Sequence, residues 1–237
     1  MAALYVVSTP IGNLEDITIR AINVLLSSRV IACEDTRRAG LLLQELSKQN
    51  KNLDIKANEK RTFIRFDDRS EMNRVPEIIE ILQKEQSVSL ISDAGTPMLS
   101  DPGYLLISEC KKRAIRVIPI PGSSAMLSAV VSSGLPANHI LFLGFPPEKQ
   151  ASRIKIFTDL LLLQSTINTL KPTVIFYCAP HNLIETLKDL EIIFPTLHIV
   201  IARELTKIHE TVWTGSIHDA LTNASPAKGE IVLLFSL

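Results

Sequence analysis

The sequence is poor in cysteine and has no excess of charge of either sign. Its three cysteines, Cys33, Cys110 and Cys178, lie far apart and form no Cys-x-x-Cys pair, which argues against both a disulfide framework and a zinc site. Lysine plus arginine number 25 and aspartate plus glutamate number 25, so the formal charge is zero. A bulk electrostatic nucleic-acid binder is strongly basic as a domain and is excluded, although a local basic patch is not. No apolar run approaches the ~18 residues of a membrane span. Residues 1–7 have no basic n-region and read as a strand rather than a signal peptide. A reducing, cytoplasmic location is expected, with no membrane partner. His139, His198, His209 and His218 fall in no metal-ligand spacing, and no metal is expected.

What is present is a chain of 237 residues, 46% hydrophobic and 21% charged, long enough for one large domain or two smaller ones. Short runs rich in Val, Ile and Leu, bounded by turn formers, predict strands at 3–7, 30–33, 63–66, 88–91 and 116–120. Helices are predicted between them at 17–26, 36–46, 71–84 and 102–112. Within 71–84, Val75, Ile78, Ile79 and Leu82 recur at spacings of three and four, which makes one buried stripe. Alternation of this kind implies an α/β fold with a largely parallel sheet covered by helices.

Pro119 and Pro121 interrupt both periodicities and predict a boundary, giving α/β domains at 1–119 and 120–237. A helix over 124–133 stops at Gly134, with Pro136 beyond it. Strands are predicted at 140–143, 173–177, 197–202, 210–213 and 230–235, and helices at 150–165, 181–193 and 216–222. No internal repeat, low-complexity tract or long linker interrupts the chain.

Four loops combine Gly, Pro and small hydroxyl residues at strand ends, where open α/β sheets place ligands. Ser8-Thr9-Pro10-Ile11-Gly12-Asn13-Leu14 carries neither a Gly-Lys-Ser/Thr phosphate loop nor the Gly-x-Gly-x-x-Gly fingerprint. It is a ligand loop or a tight strand-to-helix turn. In Ser92-Asp93-Ala94-Gly95-Thr96-Pro97, the Asp93 carboxylate either accepts hydrogen bonds from a ligand or holds the turn. Asp101 followed by Pro102 reads as a helix N-cap with proline at the first helical position. In Pro121-Gly122-Ser123-Ser124-Ala125, small residues let a ligand approach the backbone at a helix start, while Ser123 or Ser124 caps the helix. A side chain at Gly122 is expected to obstruct that approach. Ala202-Arg203-Glu204-Leu205-Thr206-Lys207 and Glu34-Asp35-Thr36-Arg37-Arg38 are each a solvated loop or the polar edge of a cleft. His181 reads as a helix-start residue before a catalytic base.

The order of these segments carries more than any one of them. Thr-Pro-Ile-Gly-Asn-Leu at 9–14, Glu-Asp-Thr-Arg at 34–37, Ser-Asp-Ala-Gly-Thr-Pro at 92–97 and Asp-Pro-Gly at 101–103 are followed by Pro-Gly-Ser-Ser-Ala at 121–125, Gly-Leu-Pro at 134–136 and Ala-Arg-Glu-Leu-Thr-Lys at 202–207. Together, over about residues 4–235, they resemble the ribosomal RNA small subunit methyltransferase I family of the tetrapyrrole-methylase superfamily. The resemblance implies two α/β domains with S-adenosylmethionine folded into a cleft between them, in a homodimer. Carried over by position, it implies cofactor contacts at Pro10, Ser92, Asp93, Thr96, Ser124, Ala125, Cys178 and Leu205, and the glycines Gly12 and Gly122 of the same loops complete the expected cofactor site. Ser123 stands where the family usually has proline. Cys178-Ala179-Pro180-His181-Asn182 replaces its Glu-Ser-x-His-Arg wording, and many members continue with a C-terminal helical extension.

The implied reaction is methylation of a cytidine ribose 2′-hydroxyl in the decoding region of small-subunit rRNA. Cofactor and acceptor must be aligned, and a base or charge stabiliser near the weakly acidic hydroxyl helps. Asp35, Arg37, Glu204 and Lys207 are the candidates for that work. The rivals are methylation of a tetrapyrrole carbon and a non-catalytic relative that binds RNA or a nucleotide. A basic segment over 48–65, with Lys48, Lys51, Lys56, Lys60, Arg61 and Arg65 against Asp54 and Glu59, is a solvated loop or an RNA-facing patch.

Overall fold

A computed structural model describes residues 2–49, 61–166, 171–222 and 228–237, and the chain divides into two compact units, Met1–Ser124 and Ala125–Leu237. The basic segment expected over 48–65 falls mostly outside the described residues. At its ends, Lys48 pairs with Glu45, Arg61 donates to the Leu26 carbonyl, and Arg65 pairs with Asp67.

The first unit alternates strictly: β1 (Ala3–Val7), α1 (Ile19–Ser27), β2 (Val30–Cys33), α2 (Thr36–Gln49), β3 (Thr62–Arg65), α3 (Glu71–Gln83), β4 (Val88–Ile91), α4 (Tyr104–Lys112) and β5 (Arg116–Ile120). All five strands are parallel, in the order β3-β2-β4-β1-β5. A parallel sheet is covered on both faces, so its central strands are apolar throughout; every residue of β2 and β4 is buried. Successive β1 side chains serve opposite faces. Leu4 packs with Ile78, Leu82 and Leu106 of α3 and α4, whereas Val7 packs with Leu25 and Leu43 of α1 and α2. Pro119 lies inside β5, which among the described residues pairs only with β1; an edge strand tolerates the missing N–H. The strand therefore runs through the first of the two prolines at the expected boundary.

The second unit contains α5 (Ala125–Ser133), β6 (Ile140–Phe142), α6 (Gln150–Thr166), β7 (Thr173–Cys178), α7 (Leu183–Ile193), β8 (His198–Arg203), β9 (Thr211–Ser216), α8 (Ile217–Thr222) and β10 (Ile231–Ser236). Its sheet order is β6-β7-β10-β8-β9. Here the parallel expectation fails. Among the described residues only β6 and β7 run parallel, because β10 enters between β7 and β8 antiparallel to both, and β9 pairs antiparallel with β8. Phe157, Phe176, Phe194 and Phe235 form the centre of its core. Beside them Arg153 and Asp189 make a buried ion pair of 2.7 Å between α6 and α7.

Candidate functional site

In the first unit the C-terminal ends of β1, β4 and β5 carry three of the four expected loops, and hydrogen bonds knit these into one surface. Ser8 N–H donates to Ile120 O at 3.1 Å. Thr9 and Gly95 exchange backbone hydrogen bonds of 2.8 and 3.1 Å. The Ser8 and Thr96 hydroxyls lie 2.8 Å apart, and Thr96 donates on to Ser123 O at 3.2 Å. Gly95 has φ +86, a conformation that glycine adopts without strain. At Gly122 an added Cβ would stand 3.0 Å from Ser8 Cβ and 3.4 Å from Ser8 O. The glycine thus lets the β5 loop approach β1, a requirement internal to the protein. Ser123 does not cap α5; its hydroxyl donates to Asp16 O.

A second set of contacts joins the ends of β2 and β4. Glu34 Oε1 accepts Asp93 N–H at 3.0 Å, and Asp93 Oδ1 accepts Asp35 N–H at 3.2 Å. Each carboxylate therefore holds the other strand's end. Asp93 Oδ2 also pairs with Arg38 Nη1 at 3.0 Å. Asp35 Oδ1 accepts the Arg37 and Arg38 N–H groups and caps α2, which holds its carboxyl below the usual carboxylate range. Arg37 is almost fully exposed.

Between these two sets lies a cavity of about 190 Å³. Cys33, Ala39 and Ile91 form its buried floor, with Leu14 and Leu42 on the sides. Thr9, Pro10 and Gly12 contribute the β1 loop, and Ser92, Asp93 and Arg38 the polar rim. The Arg38 side chain is 71% exposed and that of Asp93 28%. Burial, followed by the Asp93, Asp35 and Glu34 carboxylates, pushes the Cys33 thiol up to about 12, so it stays neutral.

Asp101 is not a helix cap. Helix α4 starts at Tyr104 after Gly103, whose φ is +140, and its first N–H groups are taken from outside: Glu71 Oε1 accepts from Gly103 and Leu105, both at 3.0 Å. Asp101 instead faces the carboxylates of Glu34, Asp68 and Asp93, with a hydrogen bond to Ser92. Burial first, then Glu34, pushes it up to about 7. The segment before it is strained, with Met98 at φ 77 and Ser100 at φ 69.

The other expected residues lie in the second unit, which Ala125 opens. Glu204 has φ 52 and Thr206 φ 65. Glu204 Oε1 pairs with Lys207 at 2.8 Å and accepts Glu230 N–H at 2.9 Å, and these contacts hold its carboxyl low. Lys207 also reaches Glu230 at 3.2 Å. The two candidates for catalysis here hold their own loop. Leu205 is buried, and Cys178 lies in the core with its thiol pushed up to about 11 by burial. His181 sits in a short 3-10 turn, Pro180–Asn182, ahead of α7. Among the described residues no group of three or more His, Cys, Asp or Glu is placed to hold a metal, and no helix is long and apolar enough to cross a membrane.

Pro10, Gly12, Ser92, Asp93, Thr96, Gly122 and Ser124 thus share one sheet edge with Asp35 and Arg37. Sequence reasoning did not single out Ser8, Glu34 or Arg38 within the segments it chose. Arg38 carried a signal, as the second of two consecutive arginines after a strand and an acidic pair.

The family model for Tetrapyrrole (Corrin/Porphyrin) Methylases matches residues 3–221. The chain is 41% identical over 236 residues to "Ribosomal RNA small subunit methyltransferase I" of Hydrogenobaculum sp. (strain Y04AAS1), covering 98% of this chain and 95% of that protein. It is 36% identical to the protein of the same name from Thermotoga maritima, covering 100% and 99%. In fold it resembles the crystal structure of the methyltransferase CobJ, with TM-score 0.68 and 18% identity over 99% of this chain and 94% of the other.

Proposed function

The chain belongs to the ribosomal RNA small subunit methyltransferase I family of the tetrapyrrole methylases, and from that membership we propose that it transfers a methyl group from S-adenosylmethionine to small-subunit rRNA, at the 2′-hydroxyl of a cytidine in the decoding region. It works as a homodimer in the cytoplasm and uses no metal. The observation that carries the reading is the knitted edge of the first sheet, where Ser8, Thr9, Gly95, Thr96 and Ser123 hold three loops in one rigid surface.

Bound S-adenosylmethionine supplies a methyl group already activated on a sulfonium, so the protein's work is mainly alignment. Pro10, Gly12, Ser92, Asp93, Thr96, Gly122, Ser124 and Ala125 are the proposed cofactor contacts. Their fit rests on chemistry: hydroxyls and open backbone of small residues suit an amino acid and a ribose, and the Ser8–Thr96–Ser123 chain fixes the hydroxyls in advance. Arg37, exposed at the start of α2, is proposed to offset phosphate charge near the acceptor. Asp35 acts by capping the helix that presents Arg37 and Arg38. Glu204 and Lys207 shape the loop around Leu205.

The test incubates unmethylated small subunits with methyl-labelled cofactor, then maps the product by nuclease digestion and mass spectrometry. Label on a cytidine ribose is expected. Label on a base, or none on the subunit with label on a porphyrinoid instead, overturns the reading.

A further inference from the structure

The ladder between β2 and β4 ends where Cys33 pairs with Ile91, before Asp93 is reached. Beyond that point the loop after β4 is fastened differently on its two sides. Toward β1 the fastening is backbone to backbone, through Thr9 and Gly95. Toward β2 it is made by side chains. Glu34 Oε1 accepts Asp93 N–H at 3.0 Å, while Asp93 Oδ1 accepts Asp35 N–H at 3.2 Å and Oδ2 pairs with Arg38. The Ser92 hydroxyl turns back onto the Ala94 and Gly95 carbonyls of its own loop. The Arg38 side chain is largely exposed, so water and salt compete for its pair with Asp93 and the pair fixes little. Glu34 is half-buried and is the firmer of the two anchors. A carboxylate offers about four acceptor positions, so the two bonds at Asp93 leave room for a donor group of the cofactor.

We propose that Glu34 is a positioning residue for the cofactor, fixing the Asp93 backbone so that the Asp93 carboxylate is aimed at bound S-adenosylmethionine. The inference rests on the reading of the β4 loop as a cofactor seat and deepens it. A carboxylate aimed in advance meets its ligand without a reorganisation cost. The role needs an accepting oxygen at position 34, not a charge. Burial raises the Glu34 carboxyl above its usual range, and the Asp93, Asp68 and Asp67 carboxylates add to this against the Asp93 N–H it accepts. Glutamine keeps the accepting oxygen and removes the cost of the charge. If the acceptor is lost altogether, Asp93 lies at the surface, where water can take up its N–H. Folding then suffers less than binding does.

The experiment measures binding of S-adenosylhomocysteine to the whole chain by calorimetry, with thermal melting alongside. Glu34→Ala is expected to weaken binding about 10-fold, as loss of one charge-assisted hydrogen bond does, and to melt within about 4 °C of wild type. Glu34→Met fills a similar volume without an acceptor and is expected to do the same. Glu34→Gln is expected to bind as wild type does and to melt no lower. Asp93→Ala marks the cofactor contact itself and is expected to bind weakly. In the double variant of Glu34→Ala with Asp93→Ala the two losses should not add, because both remove the same aimed carboxylate. Wild-type affinity in Glu34→Ala and Glu34→Met, beside a weak Asp93→Ala, overturns the proposal. So does a Glu34→Gln as weak as Glu34→Ala, or additive losses in the double variant. Failure of both non-accepting variants to fold also overturns it, since Glu34 would then be structural. Wild-type affinity in a folded Asp93→Ala instead overturns the cofactor reading of the β4 loop on which the proposal rests.

Discussion

At Asp101 burial and the nearby Glu34, Asp68 and Asp93 carboxylates oppose ionisation, and the Ser92 hydrogen bond offsets them only in part. Its carboxyl is pushed from the ordinary 3.8 up to about 7. A group whose folded pKa is raised binds its proton more tightly in the native state. Its contribution is therefore fully present below the unfolded value and is lost as pH rises through the folded one. Asp101→Asn, which keeps the neutral shape, should be more stable than wild type at pH 8, with the difference vanishing near pH 4. Urea unfolding across that range checks it; a wild-type advantage at pH 8 would refute the raised pKa. Gly122 makes a second case at this scale. Obstruction of a ligand was the expectation, but the added Cβ would press first on Ser8. Gly122→Ala should destabilise the fold by about 1–3 kcal/mol, as overpacking does, and weaken cofactor binding as well because Ser8 carries the bond to Thr96. Melting and calorimetry measure the two losses separately, and unchanged stability would show that β1 can yield.

Among the elements, α6 and α7 are joined through a buried ion pair. Arg153 donates to Asp189 and to the Pro147 and Glu148 carbonyls, and Gln150 donates to the other Asp189 oxygen. Asp189→Asn removes the countercharge and leaves a buried guanidinium, at a cost of about 3–5 kcal/mol. Arg153→Met with Asp189→Leu should recover most of that loss in urea unfolding, since an apolar pair of similar volume removes both desolvation penalties. A double variant as unstable as Asp189→Asn would contradict this. Elements of this kind were legible in the sequence because short runs rich in Val, Ile and Leu are bounded by turn formers. The runs Val30–Cys33 and Val88–Ile91 sit where their composition put them. Strand direction was not legible in the second unit, because no local pattern shows β10 entering between β7 and β8. The start of α4 was misread for a similar reason. Its capping carboxylate is Glu71, which is remote in sequence, so Asp101 and Pro102 imitated a cap that another helix supplies. At the site, the loops were legible from their Gly, Pro and Ser content. The pairing of Glu34 with Asp93 was not, since it depends on β2 and β4 being neighbours.

For the molecule as a whole, 25 basic and 25 acidic side chains cancel, so long-range attraction to a polyanion is weak. Several of the ion pairs at the described surface lie within one helix, such as Arg113 with Glu109 and Lys84 with Glu80, so those carboxylates compete with phosphate for the cations. On the proposed function, affinity for RNA then depends on a few local contacts such as Arg37, and each phosphate contact adds only about one to the salt slope. Free rRNA offers such a protein little beyond those contacts, and its acceptor strand has still to be ordered on binding. An assembled small subunit presents the strand in one shape, so the ordering cost is met before the enzyme arrives. Methylation of assembled or nearly assembled subunits should therefore be faster than that of free rRNA at every salt concentration, and the ratio should grow with salt as the weak phosphate contacts to free RNA fade. Initial rates with labelled cofactor at about 50 and 200 mM salt measure both terms. Faster methylation of free rRNA at either concentration would mean that the strand is read without the particle, and that charge outside the described residues supplies the missing attraction.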